Sequence, residues 1–570
     1  MKKKVSIFID GKEIQTEEGK NILQIAIEND IPIPHFCYHE DMEVEANCRA
    51  CLVLLEDTKR IETSCTVPAS EGLRIHTTSP KIERLRKKNM ELLLASHRKL
   101  CPKCQKGDWC KVADTIDKYH IPENKYVRRR VGRAIHKMGT AAEFDPELCI
   151  ACNKCVKACD RIGIHFLELS GKNTKTRVDY NKDPKVDCIY CGQCTVVCPV
   201  NAIREQGHIE QVEAAIADPD KIVIVQTAPS VRASIGEEFG APYGTDLTGK
   251  MYTAYRLLGF DKIFDVNFGA DITTIVEAEE LIERIHSGEG LPMFTSCCPG
   301  WVKYLEYYHP ELIPHLTTAR SPQMHSGGAY KTWWAEKEGV DPKRIVVVSV
   351  MPCTSKKYEA QHEKMKIDGM FPVDYSLTTR ELAVLLKKHN IDLPSLEPSE
   401  VDRYGIHTGA AVIYGASGGV MESALRTAYR MITGENLKNV ELTEVRGMKG
   451  VKRAVISIGK MKVKVGVVAM PKNIRKVLKA IKENPSLFDY LEFMACPGGC
   501  IGGGGQPNPS SDRIIKKRIA GIYGIDRKMT MRNAHENPIV QEYFEYLKTI
   551  PEEKRKSLLY TSYSPKRKFE

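Results

Sequence analysis

Residues 294–310 read FTSCCPGWVKYLEYYHP, with Cys297 and Cys298 side by side. Adjacent thiols are too constrained to bind one metal comfortably, so each needs a role of its own. The 570-residue chain holds twenty cysteines, and the opening MKKKVSIFIDGKEI has no apolar leader with a cleavage site. Where thiols stay reduced, cysteines in such number serve metals or redox chemistry rather than disulfides.

The cysteines fall into five groups. Cys37, Cys48, Cys51 and Cys65 are spaced C-x10-C-x2-C-x13-C. Four thiolates behind a strand, an Asp10–Gly11 turn, a second strand and a helix suit a 2Fe–2S cluster, with a structural zinc site as the plainer alternative. This stretch resembles the N-terminal domain of the large iron–sulfur subunit of respiratory complex I. In SHRKLCPKCQKGDWC, His97, Cys101, Cys104 and Cys110 form a second four-ligand set for a 4Fe–4S cluster. The third and fourth groups, CIACNKCVKACD (149–160) and CIYCGQCTVVCPV (188–200), both read C-x2-C-x2-C-x3-C, an internal repeat. In the bacterial two-cluster ferredoxin arrangement the fourth cysteine of each run ligates the other run's cluster. Cys149, Cys152, Cys155 and Cys198 then hold one 4Fe–4S cluster, and Cys188, Cys191, Cys194 and Cys159 hold the other.

Five cysteines remain: Cys297, Cys298, Cys353, Cys496 and Cys500. GLPMFTSCC, RIVVVSVMPC and FDYLEFMAC are each a short apolar or β-rich run ending in cysteine, and KIVIVQTAPS ends the same way without one. Such runs, alternating with helical stretches such as ITTIVEAEELIERIHSG, predict an α/β architecture with parallel strands. Ligand sites in such sheets gather outside the carboxyl ends of the strands, so these cysteines are expected to meet there.

TSCCPGW (295–301), MPCTSKKYE (351–359) and EFMACPGGCIGGGGQP (492–507) match, in order, the three signature stretches of the iron-only (FeFe) hydrogenases. The upstream cluster domains resemble those of the large clostridial-type members and of the hydrogen-activating subunit of NAD-linked, bifurcating hydrogenases. The resemblance implies that Cys298, Cys353, Cys496 and Cys500 hold a 4Fe–4S cluster. Cys500 would bridge it to a two-iron subsite carrying CO, cyanide and an azadithiolate, together the H-cluster. Lys356 would hydrogen-bond one cyanide and Ala228, Pro229 and Ser230 would cradle the other. Gln323, Met351 and Met494 would wall the pocket. Cys297 becomes the proton donor beside the bridgehead amine, with a path outward through Glu277, Thr317, Glu280 and Arg284. Glu277, Glu280 and Arg284 are spaced i, i+3 and i+7, so they share a helix face; without the resemblance that face reads as an ordinary salt-bridged surface. Two positions depart from the family pattern: Thr317 stands where serine is usual, and Tyr414 where phenylalanine is common.

The implied activity is the interconversion of H2 with protons and electrons. Electrons would pass through three accessory 4Fe–4S clusters and one 2Fe–2S cluster to ferredoxin, or to a flavin- and NAD-dependent partner subunit. Separate maturation proteins would install the subsite. From another class, a catalytically silent relay, assembly or H2-sensing protein would share the cysteine pattern; intact ligands, Lys356 and Cys297 argue against it. The net charge of +11 fits an acidic electron carrier or a solvated helix face, and nucleic acid is not expected as a partner. No apolar run approaches the ~20 residues of a membrane span, and a cytoplasmic location is expected. GTDLTGKM (244–251) is a near miss to a phosphate loop, with Met251 where magnesium chemistry needs a hydroxyl.

The expected organisation is multidomain α/β. Residues 1–80 form a 2Fe–2S β-grasp domain, 81–138 a His/Cys3 4Fe–4S domain and 139–209 a two-cluster ferredoxin domain. Residues 210–515 form an H-cluster domain with parallel sheets, and 516–570 a small-subunit-like segment. Its basic end, SYSPKRKFE, is expected to be disordered or a docking arm.

Overall fold

KVSIFI and KEIQTE alternate apolar and polar residues, and Asp10 and Gly11 between them both take positive φ. They form an antiparallel hairpin of β1 (Lys4–Ile9) and β2 (Lys12–Glu17). In this computed structural model, which describes residues 3–98, 110–121, 126, 133–172 and 176–569, β3 (Leu52–Leu55), β4 (Ile61–Thr63) and β5 (Arg74–His76) complete a sheet of order β2-β1-β5-β3-β4. The helix Ile22–Glu28 starts at Asn21, whose side chain accepts from the Gln24 amide at 2.8 Å. This is the expected grasp-like unit, with its cysteines in the loops flanking β3 and β4. The helix Pro80–Leu94 follows, and buried Arg86 on it donates to the carbonyls of Ala50 and Leu52, pinning it to the cysteine loop.

The ferredoxin-like repeat is built from short pieces: β6 (His136–Met138), β7 (Ala142–Phe144), the helix Lys154–Ile162, β8 (Leu167–Ser170), β9 (Arg177–Tyr180) and β10 (Ile203–Glu205). β10-β7-β6 form one sheet and β8-β9 a hairpin.

Beyond residue 220 the apolar runs become two four-stranded sheets. β11 (Ile222–Thr227), β12 (Lys262–Asp265), β14 (Ile345–Met351) and β15 (Tyr375–Thr378) pair in the order β12-β11-β14-β15, all parallel. β13 (Met293–Phe294), β18 (Tyr490–Met494) and β17 (Met461–Ala469) are parallel, and β16 (Val451–Ile458) adds an antiparallel edge. β18 is buried along its whole length and β14 nearly so, as strands covered on both faces must be. Between the sheets runs the helix Val266–Ser287, capped by Asp265 and ended by Gly288 at φ 73°. Its first three turns are buried all round and its last turns keep one polar face.

The C-terminal helices Asp512–Lys528, Pro538–Thr549 and Glu552–Leu559 pack over this domain. The basic end is seated on the molecule itself. The Lys566 amide donates to the Glu306 carbonyl at 3.1 Å, Lys568 Nζ donates to the carbonyls of Asn181 and Asp183, and Phe569 sits edge-on to Phe166 and Tyr180. Lysine next to aromatic in KRKFE can satisfy carbonyls and make ring contacts together, which a reading by charge alone misses. No helix among the described residues is long and apolar enough to cross a membrane.

Candidate active site

Four strand ends meet at one place. β11 runs into Ala228-Pro229-Ser230, and the Ala228 amide donates to the Val350 carbonyl at 2.9 Å, aligning that loop with the end of β14. β14 ends at Met351 and leads through Pro352 to Cys353 and the helix Ser355–Ala360, which carries Lys356. β18 ends at Met494 and leads to Cys496 and Cys500. β13 leads to Cys297 and Cys298, where Cys298 caps the helix Pro299–Tyr308. Trp301 Nε1 donates to the Thr295 carbonyl at 2.9 Å and locks that turn.

Burial pushes the thiols of Cys298, Cys353, Cys496 and Cys500 upward, Cys353 to about 11. Cys353 and Cys298 add to the rise at Cys496 and Cys500, so the four sulfurs stand close enough to feel one another. Such a set is stable as thiolates only around a cationic metal centre. Two buried polar atoms beside it, Ser230 Oγ and Gln323 Oε1, have no partner, as expected of groups that face a polar ligand. Met351 and Met494 are buried, and Cys297 and Cys298 pack against Met494 and Tyr414.

Lys356 Nζ lies 2.7 Å from Glu359 Oε2. Burial works against its charge, but Glu359 outweighs burial and holds the ammonium above its ordinary range. The same carboxylate oxygen accepts from Gln323 Nε2 at 2.6 Å and Ser321 Oγ at 2.8 Å. Glu359 thus orients two of the expected pocket residues. The sequence reading missed it, although MPCTSKKYE shows the Lys-x-x-Glu spacing that makes the pair.

Cys297 precedes Cys298 in the chain and feels Cys298 and Cys500 as well as Glu277. Burial raises its thiol, and Glu277 raises it further. Glu277 is 1% exposed, with Oε1 unpartnered; burial pushes its carboxyl to about 8, with Glu280 adding to the rise. Thr317 Oγ1 donates to Glu280 Oε2 at 2.5 Å, and Arg284 closes on Glu280 Oε1 at 2.5 Å. Of the expected groups, Thr317, Glu280 and Arg284 are joined by hydrogen bonds, and Glu277 lies near enough to raise the Cys297 thiol. Tyr414 binds Thr274 Oγ1 at 2.9 Å, and Thr274 donates to the Ala270 carbonyl, so the phenol proton points at Thr274. The extra hydroxyl is absorbed into the helix Val266–Ser287.

The upstream groups are equally explicit. Cys37 Sγ lies 3.4 Å from Cys48 Sγ, and Cys51 pairs with Cys65, a two-and-two arrangement that suits the two irons of a 2Fe–2S cluster. His97 Nδ1 lies 2.6 Å from the Leu148 carbonyl, a contact that fixes the ring against the first ferredoxin-like run. Cys110 caps the helix Lys111–Lys118, while Cys101 and Cys104 lie outside the described residues. A cavity is lined by Cys149, Cys152, Cys155 and Cys198. Burial raises Cys188 and Cys194, and Cys159 from the first run raises both further. The two runs exchange their fourth cysteines.

The fold and site define a multicluster iron–sulfur oxidoreductase. Residues 221–504 match the C-terminal domain of the iron only hydrogenase large subunit, and 512–566 the iron hydrogenase small subunit. Upstream, 2–80 match a 2Fe-2S iron-sulfur cluster binding domain, 86–125 the NADH-ubiquinone oxidoreductase-G iron-sulfur binding region, and 148–202 a 4Fe-4S dicluster domain. The NADP-reducing hydrogenase subunit HndD of Solidesulfovibrio fructosivorans is 40% identical over 98% of both chains. Iron hydrogenase 1 of Clostridium pasteurianum is 39% identical over 98% of this chain and 99% of its own. The apo [FeFe]-hydrogenase HydA1 from Chlamydomonas reinhardtii superposes with a TM-score of 0.56 at 36% identity, over 63% of this chain and 99% of that one. The chain belongs to the iron-only hydrogenase family: it is an oxidoreductase acting on H2, with 2Fe–2S, 4Fe–4S and H-cluster domains.

Proposed function

We propose that the chain is the hydrogen-activating member of a larger electron-transfer assembly, turning over H2 at the centre framed by its four strand ends. The observation that carries this is the meeting of Cys298, Cys353, Cys496 and Cys500 at the strand ends, with Cys297 close enough to Glu277, Cys298 and Cys500 to feel each. When bound, the two-iron subsite supplies the metal at which H2 is made or split. Lys356, steadied by Glu359, would donate a charge-assisted hydrogen bond to a cyanide. Unpartnered Ser230 Oγ would face the other cyanide, and buried Met351 and Met494 would keep water out. Cys297 holds a proton at its sulfur, Glu277 carries one at its carboxyl, and Thr317, Glu280 and Arg284 pass it to the surface. Two protons and two electrons are taken up for each H2 released.

Electrons enter at the 2Fe–2S cluster or the His97-ligated cluster and move through the ferredoxin-like pair. In this reading the chain divides at residues 80, 138, 209 and 515. The partner is a flavin- and NAD(P)-linked subunit, in keeping with the name of the relative from Solidesulfovibrio fructosivorans. The positive net charge suits an acidic ferredoxin as the alternative carrier.

Infrared spectroscopy of the anaerobically matured protein tests the centre. Iron-bound CO and cyanide bands that shift under H2 are expected, and in Cys297→Ala they persist while turnover is lost. Absence of bands beside a working control sinks the reading, and retained turnover in Cys297→Ala removes that thiol from the path. Copurification with a flavoprotein tests the partner.

A further inference from the structure

The second ferredoxin-like run is threaded among the strand-end loops that carry Cys353, Cys496 and Cys500. Thr354 Oγ1 donates to the Tyr190 carbonyl at 2.6 Å, and Ser355 Oγ donates to the Ile189 carbonyl at 3.3 Å. From the other side, Gln193 Nε2 donates to the Gly502 carbonyl and Thr195 Oγ1 to the Gly504 carbonyl, both at 2.8 Å. Cys496 Sγ stands 4.0 Å from the Cys191 carbonyl oxygen. Cys191 and Cys496, from two different ligand sets, are thus next to each other across this seam.

At the centre of the seam two glycines meet. A Cβ on Gly192, at φ +67°, would overlap Thr354 Oγ1 and lie 2.9 Å from Thr354 Cγ2 and 3.0 Å from the Gly504 Cα. A Cβ on Gly504 would overlap the Gly192 Cα and carbonyl carbon and lie 2.5 Å from the Cys191 carbonyl oxygen. These obstacles are largely backbone, held by the four hydrogen bonds above, so a side chain at either position must force the two loops apart.

We propose that the bare contact of Gly192 with Gly504 is the protein's electron-transfer junction, setting the gap between the cluster of Cys188, Cys191, Cys194 and Cys159 and that of Cys298, Cys353, Cys496 and Cys500. This rests on the cluster assignments of the proposed function. One electron at a time leaves the reduced ferredoxin-type cluster and reduces the active-site cluster, two crossings per H2, with no atom exchanged at the junction. Tunnelling falls off exponentially with separation, so a wedge of one methyl group slows the crossing without touching the chemistry at the far side. Gly192 and Gly504 are positioning residues, and the first carries a second reason to be glycine in its positive φ.

The test uses the full chain, purified anaerobically, with Gly504→Ala as the main variant. Gly524→Ala serves as the control, since a Cβ there meets nothing within 4 Å. Matured protein is assayed twice: H2/D2O exchange, which needs no outside electrons, and H2 evolution from dithionite-reduced viologen. Gly504→Ala is expected to evolve H2 several-fold more slowly while exchanging at about the wild-type rate. In protein carrying its iron–sulfur clusters but lacking the two-iron subsite, the spin–spin interaction between the two neighbouring reduced clusters should weaken in electron paramagnetic resonance. Exchange and evolution falling together, or unchanged evolution with unchanged spin coupling, overturns the proposal. Should Gly504→Ala lose iron, Thr195→Val, which removes the hydroxyl that holds the Gly504 and Gly192 carbonyls and accepts from Arg380, without added bulk, must move evolution and spin coupling in the same direction. A wild-type protein without exchange activity refutes the cluster assignment rather than the junction.

Discussion

Glu277 shows how a single side chain acquires a function from its surroundings. Burial and the nearby Glu280 carry its carboxyl to about 8 against an ordinary 4.5, so it holds a proton at neutral pH. The unfolded chain has lost that proton above 4.5. The stability linked to it is therefore fully present below pH 4.5 and is lost as pH rises through about 8. Glu277→Gln, neutral at every pH, should flatten this loss: its melting temperature relative to wild type should climb between pH 5 and 8, read at a matched scan rate. A difference independent of pH would mean the carboxyl is ionised throughout and works only as an acceptor. The residue-scale lesson extends to Glu359, whose one oxygen gathers Ser321, Gln323 and Lys356.

At the scale of an element, the helix Val266–Ser287 must hold Glu277 and Glu280 at fixed depth, and its start is fixed by Asp265. That carboxylate accepts from the Asn267 amide at 3.0 Å, from Tyr252 at 2.7 Å, and from Arg232 through both oxygens at 2.8 and 2.9 Å. Arg232 and Asp265 are both fully buried. Asp265→Ala strips the cap and leaves a buried guanidinium uncompensated, a loss of about 3–5 kcal/mol. Because Arg232 also donates to the Pro229 carbonyl, the loop 228–230 should loosen with it. Thermal unfolding measures the first effect and amide hydrogen exchange around residues 228–234 the second. A loss no larger than that of an ordinary helix cap would show that Arg232 finds another partner.

At the scale of the whole molecule, Arg161 joins three segments: it lies 2.7 Å from Asp512 and 3.4 Å from Asp41, linking the ferredoxin-like helix to the C-terminal helices and the N-terminal domain. The strands of the N-terminal sheet have an apolar core of their own, while Cys37 and Cys48 belong to the core that also takes in the ferredoxin-like cysteines, Phe294, Leu491 and Cys496. Whether loss of the 2Fe–2S cluster reaches the active centre through that shared core is read from one ligand variant. Cys48→Ala is expected to lose the 2Fe–2S resonance signal while keeping H2/D2O exchange, and to slow electron traffic with the partner. Loss of exchange along with that signal would show that the N-terminal cluster supports the fold of the catalytic domain.

The ferredoxin-type cysteine runs were legible in the amino-acid sequence because a cluster imposes spacing such as C-x2-C-x2-C-x3-C, whereas the choice of Cys298, Cys353, Cys496 and Cys500 as a ligand set came from resemblance. The parallel strands were legible for a similar reason, since strands buried on both faces are written as unbroken apolar runs. The four-group order from Glu277 to Arg284 came from resemblance, not spacing, because Thr317 lies 37 residues from the Glu280 it binds. The seam of Gly192 and Gly504, the seating of the basic end on Glu306 and Asn181, and the carboxyl shift of Glu277 left no local mark at all. Each depends on what chain segments far apart in sequence do when packed together, and only the folded molecule sets those distances and that burial.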